Sequence, residues 1–434
     1  MKNTKQNIDK TIDFIVLTLF ILFMASSASF MVSDVFVVIS FFFLVVVFFI
    51  RKIKIDRIVY FVLCIWILVN IISCLINSQS KFSIISFVGV TLRIIMPYFM
   101  VKVIGYSFFD RFFKYAYALV LISFPFFLIE SIYPSFIFSI TPYLNFITAR
   151  EQFVSNGFYI FIYMHSGWAE NTGLFVRNSG FIWEPGAYAC VLTFMLTYYL
   201  YITNYKVDKR VIILILALLS TFSTAGYIAL FIILIFLVIN NKIIKQRYSI
   251  FMPIILSALI FSGILFYSTS PFMKDKINKY IEMGTDTYTW EFENESIVRV
   301  SRLGIAMASI DNALHRPWGE GIMTSEYIVN KYGNISGPSS LAEILRQWGW
   351  LGLIVCIISM YKLSISGRRI GLILLIPMLI VLLSNPFLFK YLIYAIIYYH
   401  FIYSKKNKII YIKRILPYKY NISNSTQIRQ KSIS

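Results

Sequence analysis

The chain is short of charge. Only 14% of its 434 residues are Asp, Glu, Lys or Arg, where a soluble domain carries ~25%. Cysteine and histidine are scarcer still, at four and three residues, and no internal repeat is visible. Each shortage excludes something. So few charges cannot solvate a water-soluble globule of this length, nor keep a chain disordered. Cys64, Cys74, Cys190 and Cys356 lie singly in apolar runs, which excludes a disulfide scaffold and leaves small core hydrophobes. His165, His315 and His400 make no cluster with metal-ligand spacing, so neither a metal site nor a cofactor is expected. Acids are half as common as bases, 20 against 40, which leaves a net charge of +20.

What is abundant is apolar, at 59%, with 18% aromatic. That composition predicts an all-α, polytopic integral membrane protein, a single membrane domain over 1–434. A span needs ~20 mostly apolar residues. Twelve segments qualify: 11–31, 34–50, 58–76, 84–101, 112–132, 181–202, 211–223, 226–240, 249–268, 340–361, 370–384 and 387–403. The first is too long for a signal h-region and is read as a retained helix. The pair 211–223 and 226–240 meets at Ser223-Thr224-Ala225-Gly226, a tight hairpin.

Placing the N-terminus inside puts 27 positive and five negative residues in short inner loops and the two ends. This obeys the positive-inside rule throughout and makes both termini cytoplasmic. The basicity is then a topology signal, and nucleic acid is not needed to explain it. Two long segments, 133–180 and 269–339, fall outside. The second contains an amphipathic helix at ~297–314, on which Val300, Leu303, Met307, Ile310 and Leu314 share a face.

The candidate chemistry clusters in these outer segments. In Arg177-Asn178-Ser179-Gly180-Phe181-Ile182-Trp183-Glu184-Pro185-Gly186, Pro185 suits a first helical turn and places Glu184 at a helix start. Glu184 is then either a general base or hydroxyl-binding carboxylate, or a capping acid paired with Arg177. Arg299 and Arg302, three apart on the expected helix, can hold a pyrophosphate between two guanidinium forks. The alternative is a solvated face on which Glu295 pairs with Arg299. His315-Arg316-Pro317-Trp318-Gly319-Glu320-Gly321 ends that helix in a turn able to bring amides to a ligand. Glu343 and Arg346 are either an intrahelical ion pair or pocket-lining groups. Arg93 is deep enough to face the bundle interior, and Lys390 is placed to snorkel.

These stretches resemble those of a known family. Arg177…Gly180-Phe181…Trp183-Glu184-Pro185-Gly186-Ala187 is similar to the entry into a central span of bacterial O-antigen polymerases (Wzy type). Ser220-Thr221-Phe222-Ser223-Thr224-Ala225-Gly226-Tyr227 resembles their helix hairpin. Arg316-Pro317-Trp318-Gly319-Glu320-Gly321, followed by Gly349-Trp350-Leu351-Gly352, resembles the late outer loop and next span of the wider O-antigen ligase/polymerase group. Where the ligase pattern carries a histidine, counted back from Gly349, this chain has Pro338-Ser339. Polymerase is therefore the better fit than ligase.

The resemblance implies a glycosyltransferase of lipopolysaccharide biosynthesis in the bacterial inner membrane. It would join repeat units carried on undecaprenyl pyrophosphate at the periplasmic face, with lipid-linked donor and acceptor, membrane lipids and a chain-length regulator as partners. Glu184 would accept the acceptor proton, and Arg177 and Arg299 would stabilise the leaving pyrophosphate. Arg302, Arg316, His315, Glu343 and Arg346 would bind substrate. The competing reading is a flippase or transporter of lipid-linked oligosaccharide. It would need charged or broken-helix features near the midplane and on both faces.

Overall fold

The computed structural model describes residues 2–25, 34–77, 82–133, 136, 139, 163, 176–241, 288–292, 295–299, 302–323, 326–332, 334–336, 339–365, 368–384 and 391–403. From the N-terminus come α1 (Lys2–Ala25), α2 (Asp34–Ile50), α3 (Arg57–Ile76), α4 (Ile84–Ile104) and α5 (Phe108–Ile132). Next are α6 (Pro185–Ile202), α7 (Lys209–Ser220) and α8 (Thr224–Asn240). Then follow α9 (Arg302–His315), α10 (Glu326–Tyr332), α11 (Ser340–Lys362), α12 (Leu372–Ser384) and α13 (Tyr391–Tyr403). Among the described residues, four helical runs are long and apolar enough to cross a membrane: α3, the run Ile84–Ile132, α6 and α11. Shorter apolar helices accompany them, α2, α8, α12 and α13 among them. The expected span 249–268 and Lys390 lie outside the described residues, as does most of 133–180.

The helices begin where small polar residues supply the missing acceptors of a first turn. The hydroxyls of Ser83, Ser223 and Ser339 accept from Ser86, Gly226 and Ala342 amides at 3.2, 3.3 and 3.4 Å. The Asp208 carboxylate accepts from the Arg210 and Val211 amides at 3.0 and 3.2 Å.

The fold is not purely helical. β1 (Tyr288–Phe292), β2 (Glu295–Arg299) and β3 (Asn334–Ser336) form one small sheet, with β2 antiparallel to β1 and parallel to β3. β4 (Ser364–Ile365) and β5 (Arg368–Arg369) pair as a hairpin. The first sheet corrects the expected helix at 297–314, which begins only at Arg302. Ile297 and Val298 are β-branched and sit more readily in a pleated strand than in a first helical turn.

The core is built around α6, every residue of which from Pro185 to Tyr201 is buried. It packs against α7, α8 and α12. The last described helix is also central. On α13, Tyr391 stacks on Phe23 of α1 at 5.2 Å, Tyr398 meets Tyr98 of α4 at 5.5 Å, and Tyr399 meets Phe109 of α5 at 4.8 Å. The outer flanks are apolar as well: Phe42, Phe49, Phe61, Leu75, Ile84 and Ile132 are all exposed. Hydrocarbon, not water, solvates such flanks on helices of span length.

Antiparallel alternation gives the bundle two ends. At one end Arg51 of α2 joins Asp9 and Asp13 of α1 at 3.2 and 2.7 Å, and Arg111 of α5 also meets Asp13. There too Lys102 pairs with Asp56 at 2.7 Å, and Tyr198 hydrogen-bonds Asp110. The other end holds Asn77, Arg177–Glu184, Ser220–Thr224, Arg316–Met323 and the start of α11.

Candidate functional site

Two joints of non-helical backbone stand at this second end. The first carries Arg177 and Glu184. The Asn178 amide donates to the Ser220 carbonyl at 3.0 Å, and its side-chain amide donates to the Ser220 hydroxyl at 2.8 Å. The Asn178 side-chain carbonyl accepts from the Gly180 amide at 2.8 Å, and Arg177 Nε donates to the Thr221 carbonyl at 3.2 Å. The segment before α6 is thereby fastened to the turn between α7 and α8. Two stretches that carry the resemblance meet here.

Glu184 is the N-cap residue of α6, with Pro185 in the first turn, as the Glu-Pro order predicts. Its backbone is extended, and its carboxylate makes no capping hydrogen bond to the helix. The group is half-buried. Beside this joint lies a second acid, Glu130 of α5, 1% exposed, which accepts a hydrogen bond from the buried Tyr163 hydroxyl. Burial and the Glu130 charge push the Tyr163 phenol well above its ordinary range.

The second joint is a loop set into a broken helix. Gly349 has φ 62°, ψ −161°, which interrupts α11 near its middle. The freed backbone groups are taken by the loop after α9. Glu320 and Gly321 amides donate to the Arg346 and Gln347 carbonyls at 2.8 and 3.0 Å, and the Trp350 amide donates to the Pro317 carbonyl at 2.9 Å. The Trp350 indole donates to the Ala313 carbonyl at 3.0 Å. Gly319 and Gly349 face each other so closely that a Cβ on either would run into the backbone of the other segment. Here again two resemblance stretches meet, Arg316–Gly321 with Gly349–Gly352.

Side chains of α3 complete this joint. Asn70 and Asn77 are buried. The Asn70 side-chain carbonyl accepts from the Ile322 amide at 3.0 Å, and its amide donates to the Trp66 carbonyl at 2.8 Å. Asn77 accepts from Arg316, and donates to the Ser73 hydroxyl at 3.0 Å. Arg316 also pairs with the fully buried Glu320 at 3.4 Å. One turn into α11, Arg346 grips Glu343 with two hydrogen bonds, 2.7 and 3.1 Å, and donates to the Met323 carbonyl at 2.9 Å. Gln347 donates to the same carboxylate at 2.7 Å.

Arg316, Glu343 and Arg346 are thus brought to one cluster. The ion-pair reading of Glu343 and Arg346 is the geometry observed. His315 stands apart: it is exposed, its ring stacks on Tyr327 at 4.3 Å, and Nδ1 meets the Asp311 carbonyl at 2.9 Å. The paired-arginine geometry is corrected. Arg299 lies in strand β2 opposite Tyr288 and Ser336, and Arg302 opens α9, so they share no helical face. For the same reason no helical Glu295–Arg299 pair exists. The side chains of Arg299 and Arg302 lie outside the described part.

The apolar stripe of α9 also points the other way from a core stripe. Met307, Ile310 and Leu314 are 61%, 44% and 68% exposed, while Ala308, Ser309, Asn312 and Ala313 are buried against the bundle. Arg93 of α4 is largely buried and pairs with Asp34 at 3.4 Å. Ser339 serves as the N-cap of α11, while Pro338 lies outside the described residues. Asn70, Asn77 and Glu130 carry no motif that marks them in the sequence. One signal was present: Asn70, Ser73 and Asn77 recur at i, i+3 and i+7 in an otherwise apolar span. Among the described residues no group of His, Cys, Asp and Glu is arranged to hold a metal ion. Comparison of the chain with family models, with curated proteins and with solved structures finds no match in any of the three.

Proposed function

We propose that the chain is an O-antigen polymerase, a polytopic glycosyltransferase of the bacterial inner membrane. It joins oligosaccharide repeat units carried on undecaprenyl pyrophosphate at the periplasmic face. In this reading the twelve apolar segments cross the membrane, both termini are cytoplasmic, and 133–180 and 269–339 are periplasmic. The donor chain leaves its pyrophosphate as a hydroxyl of the incoming unit attacks.

One observation carries the reading. Acids and arginines are held on non-helical backbone, at Arg177–Glu184 and at Arg316–Gly321, inside an apolar bundle and at the same end of it. Such backbone is tolerated at membrane depth only where protein buries it or a polar cavity adjoins it. Charges there are costly and mark substrate paths by default. Their confinement to the end opposite the basic loops supports a site on one face, unlike the two-faced requirement of a flippase.

The chemistry assigned follows from the groups. Glu184, whose carboxylate is not spent on its helix, accepts the hydroxyl proton. Arg177, steadied through Thr221, and Arg299 balance the charge that develops on the leaving phosphate. Arg316 and Arg346 orient the lipid-linked substrate, with Glu343 and Arg302 on the same approach. The glycan profile of a deletion strain tests the whole. Lipopolysaccharide capped by a single repeat unit is expected. Loss of every attached unit would point instead to ligase or flippase, and unchanged polymer would overturn the assignment.

A further inference from the structure

Beside the second joint the helices α3, α11 and α13 leave an apolar groove. Its walls are Phe61 and Ile65 of α3, Trp348 and Val355 of α11, and Tyr394 and Ile397 of α13, with apolar neighbours. Along α11 it is lined from Ile344 to Val355, on both sides of the Gly349 break. Its rim residues Phe61, Leu351 and Phe401 are exposed on the apolar flank. The groove therefore opens sideways, where a bilayer would lie, and not toward either end.

We propose that this groove holds the hydrocarbon tail of the lipid-linked substrate, an inference that rests on the polymerase reading. Three features favour that occupant over general bilayer lipid. First, the groove ends at the charged cluster: Ile344 follows Glu343 in the chain, and Tyr394 lies within electrostatic reach of Glu343. Second, the end wall is fixed. The Trp348 indole donates to the Tyr394 hydroxyl at 3.0 Å, and its ring packs on Trp66 at 4.7 Å, one turn below Asn70. Third, the walls are apolar along the rest of the length, so they suit a chain without polar atoms. A tail seated here leaves its pyrophosphate beside Arg346 and the Arg316 loop.

The test uses the purified full-length protein in detergent and three probes: undecaprenyl pyrophosphate, isopentenyl pyrophosphate and phosphatidylglycerol. Val355→Trp fills the groove. Excluding as few as two methylenes from contact weakens binding about tenfold. The variant is therefore expected to bind undecaprenyl pyrophosphate at least about tenfold more weakly than wild type, with isopentenyl pyrophosphate binding unchanged. Undiminished binding by a folded Val355→Trp overturns the proposal. So does equal affinity of wild type for the long and short pyrophosphates, or equal displacement by phosphatidylglycerol. If Val355→Trp melts early without ligand, a photo-crosslinking residue at position 351 decides. An undecaprenyl adduct is expected, and an adduct with phosphatidylglycerol alone overturns the proposal. Tail binding with normal polymer in the deletion strain would remove the polymerase reading while leaving the groove as a lipid site.

Discussion

Two carboxylates on the chain show how neighbours decide what an acid does. Asp208 is bound into structure. Burial is the largest single influence and raises its pKa, but the Tyr199 hydroxyl and the Val211 and Arg210 amides together outweigh it and hold the carboxyl below the usual range. Its folded pKa is depressed, so the stabilisation is present above the unfolded value of ~3.9 and is lost as pH falls through the folded value. Asp208→Asn keeps the shape and removes the titration. The difference in melting temperature between wild type and variant should be constant near neutral pH and shrink below about pH 4. A difference that grows with acid would contradict the cap. Glu184 has no such duty toward its helix. Glu184→Gln keeps the shape and removes the basicity, so polymer formation per folded protein should drop by ~10²–10⁴-fold, the usual contribution of general base catalysis. Full-length polymer from that variant would remove the base assignment.

At the scale of elements, the joints are where stability is most exposed to single changes. Gly349 has a positive φ, and a Cβ there would enter the backbone of Pro317 and Trp318. Gly349→Ala should destabilise by about 2–5 kcal/mol through strain and overpacking together. Gly89→Ala is the control: its Cβ would meet only ordinary contacts at 3.5 and 3.7 Å, so it should be neutral or stabilise by ~0.5–1 kcal/mol. Denaturant melts in detergent separate the two. Asn178→Ala removes the acceptor of a buried Gly180 amide and should cost ~1–3 kcal/mol. Which elements were legible follows from range. The apolar character of the described spans, the Glu-Pro start of α6 and the Ser223 hairpin are local and legible; for Glu343 and Arg346 the sequence left an ion pair and a pocket-lining role open, and the ion pair forms. The contacts of Arg316 with Asn77 and of Ile322 with Asn70 join residues 239 and 252 positions apart, which no local pattern encodes. The strand at Glu295–Arg299 was missed because Val300 and Leu303 extend a helical period back toward it, while its own β-branched pair is only two residues long.

Over the whole molecule, charge is sorted by end. Asp9, Asp13, Asp56, Asp110 and Asp208, the acids assigned to the inner side, are all engaged with partners at the basic end. The polar candidates gather at the other. Thiol labelling tests the orientation in the membrane. In a chain without native cysteines, Asn156→Cys and Asp286→Cys should react with an impermeant reagent from outside the cell. Protection of both would invert the topology. The central seat of α13 bears on how such a chain is made. Its Tyr399 hydroxyl donates to the Tyr106 carbonyl across 293 residues. At ~5–20 residues per second of synthesis, that acceptor waits about 15–60 s for its donor. Until then α1, α4 and α5 surround a vacant slot, which lipid or an insertion chaperone has to occupy. Emergence of α13, rather than lateral accretion of successive hairpins, is then the event that closes the bundle and creates the wall α13 lends to the groove.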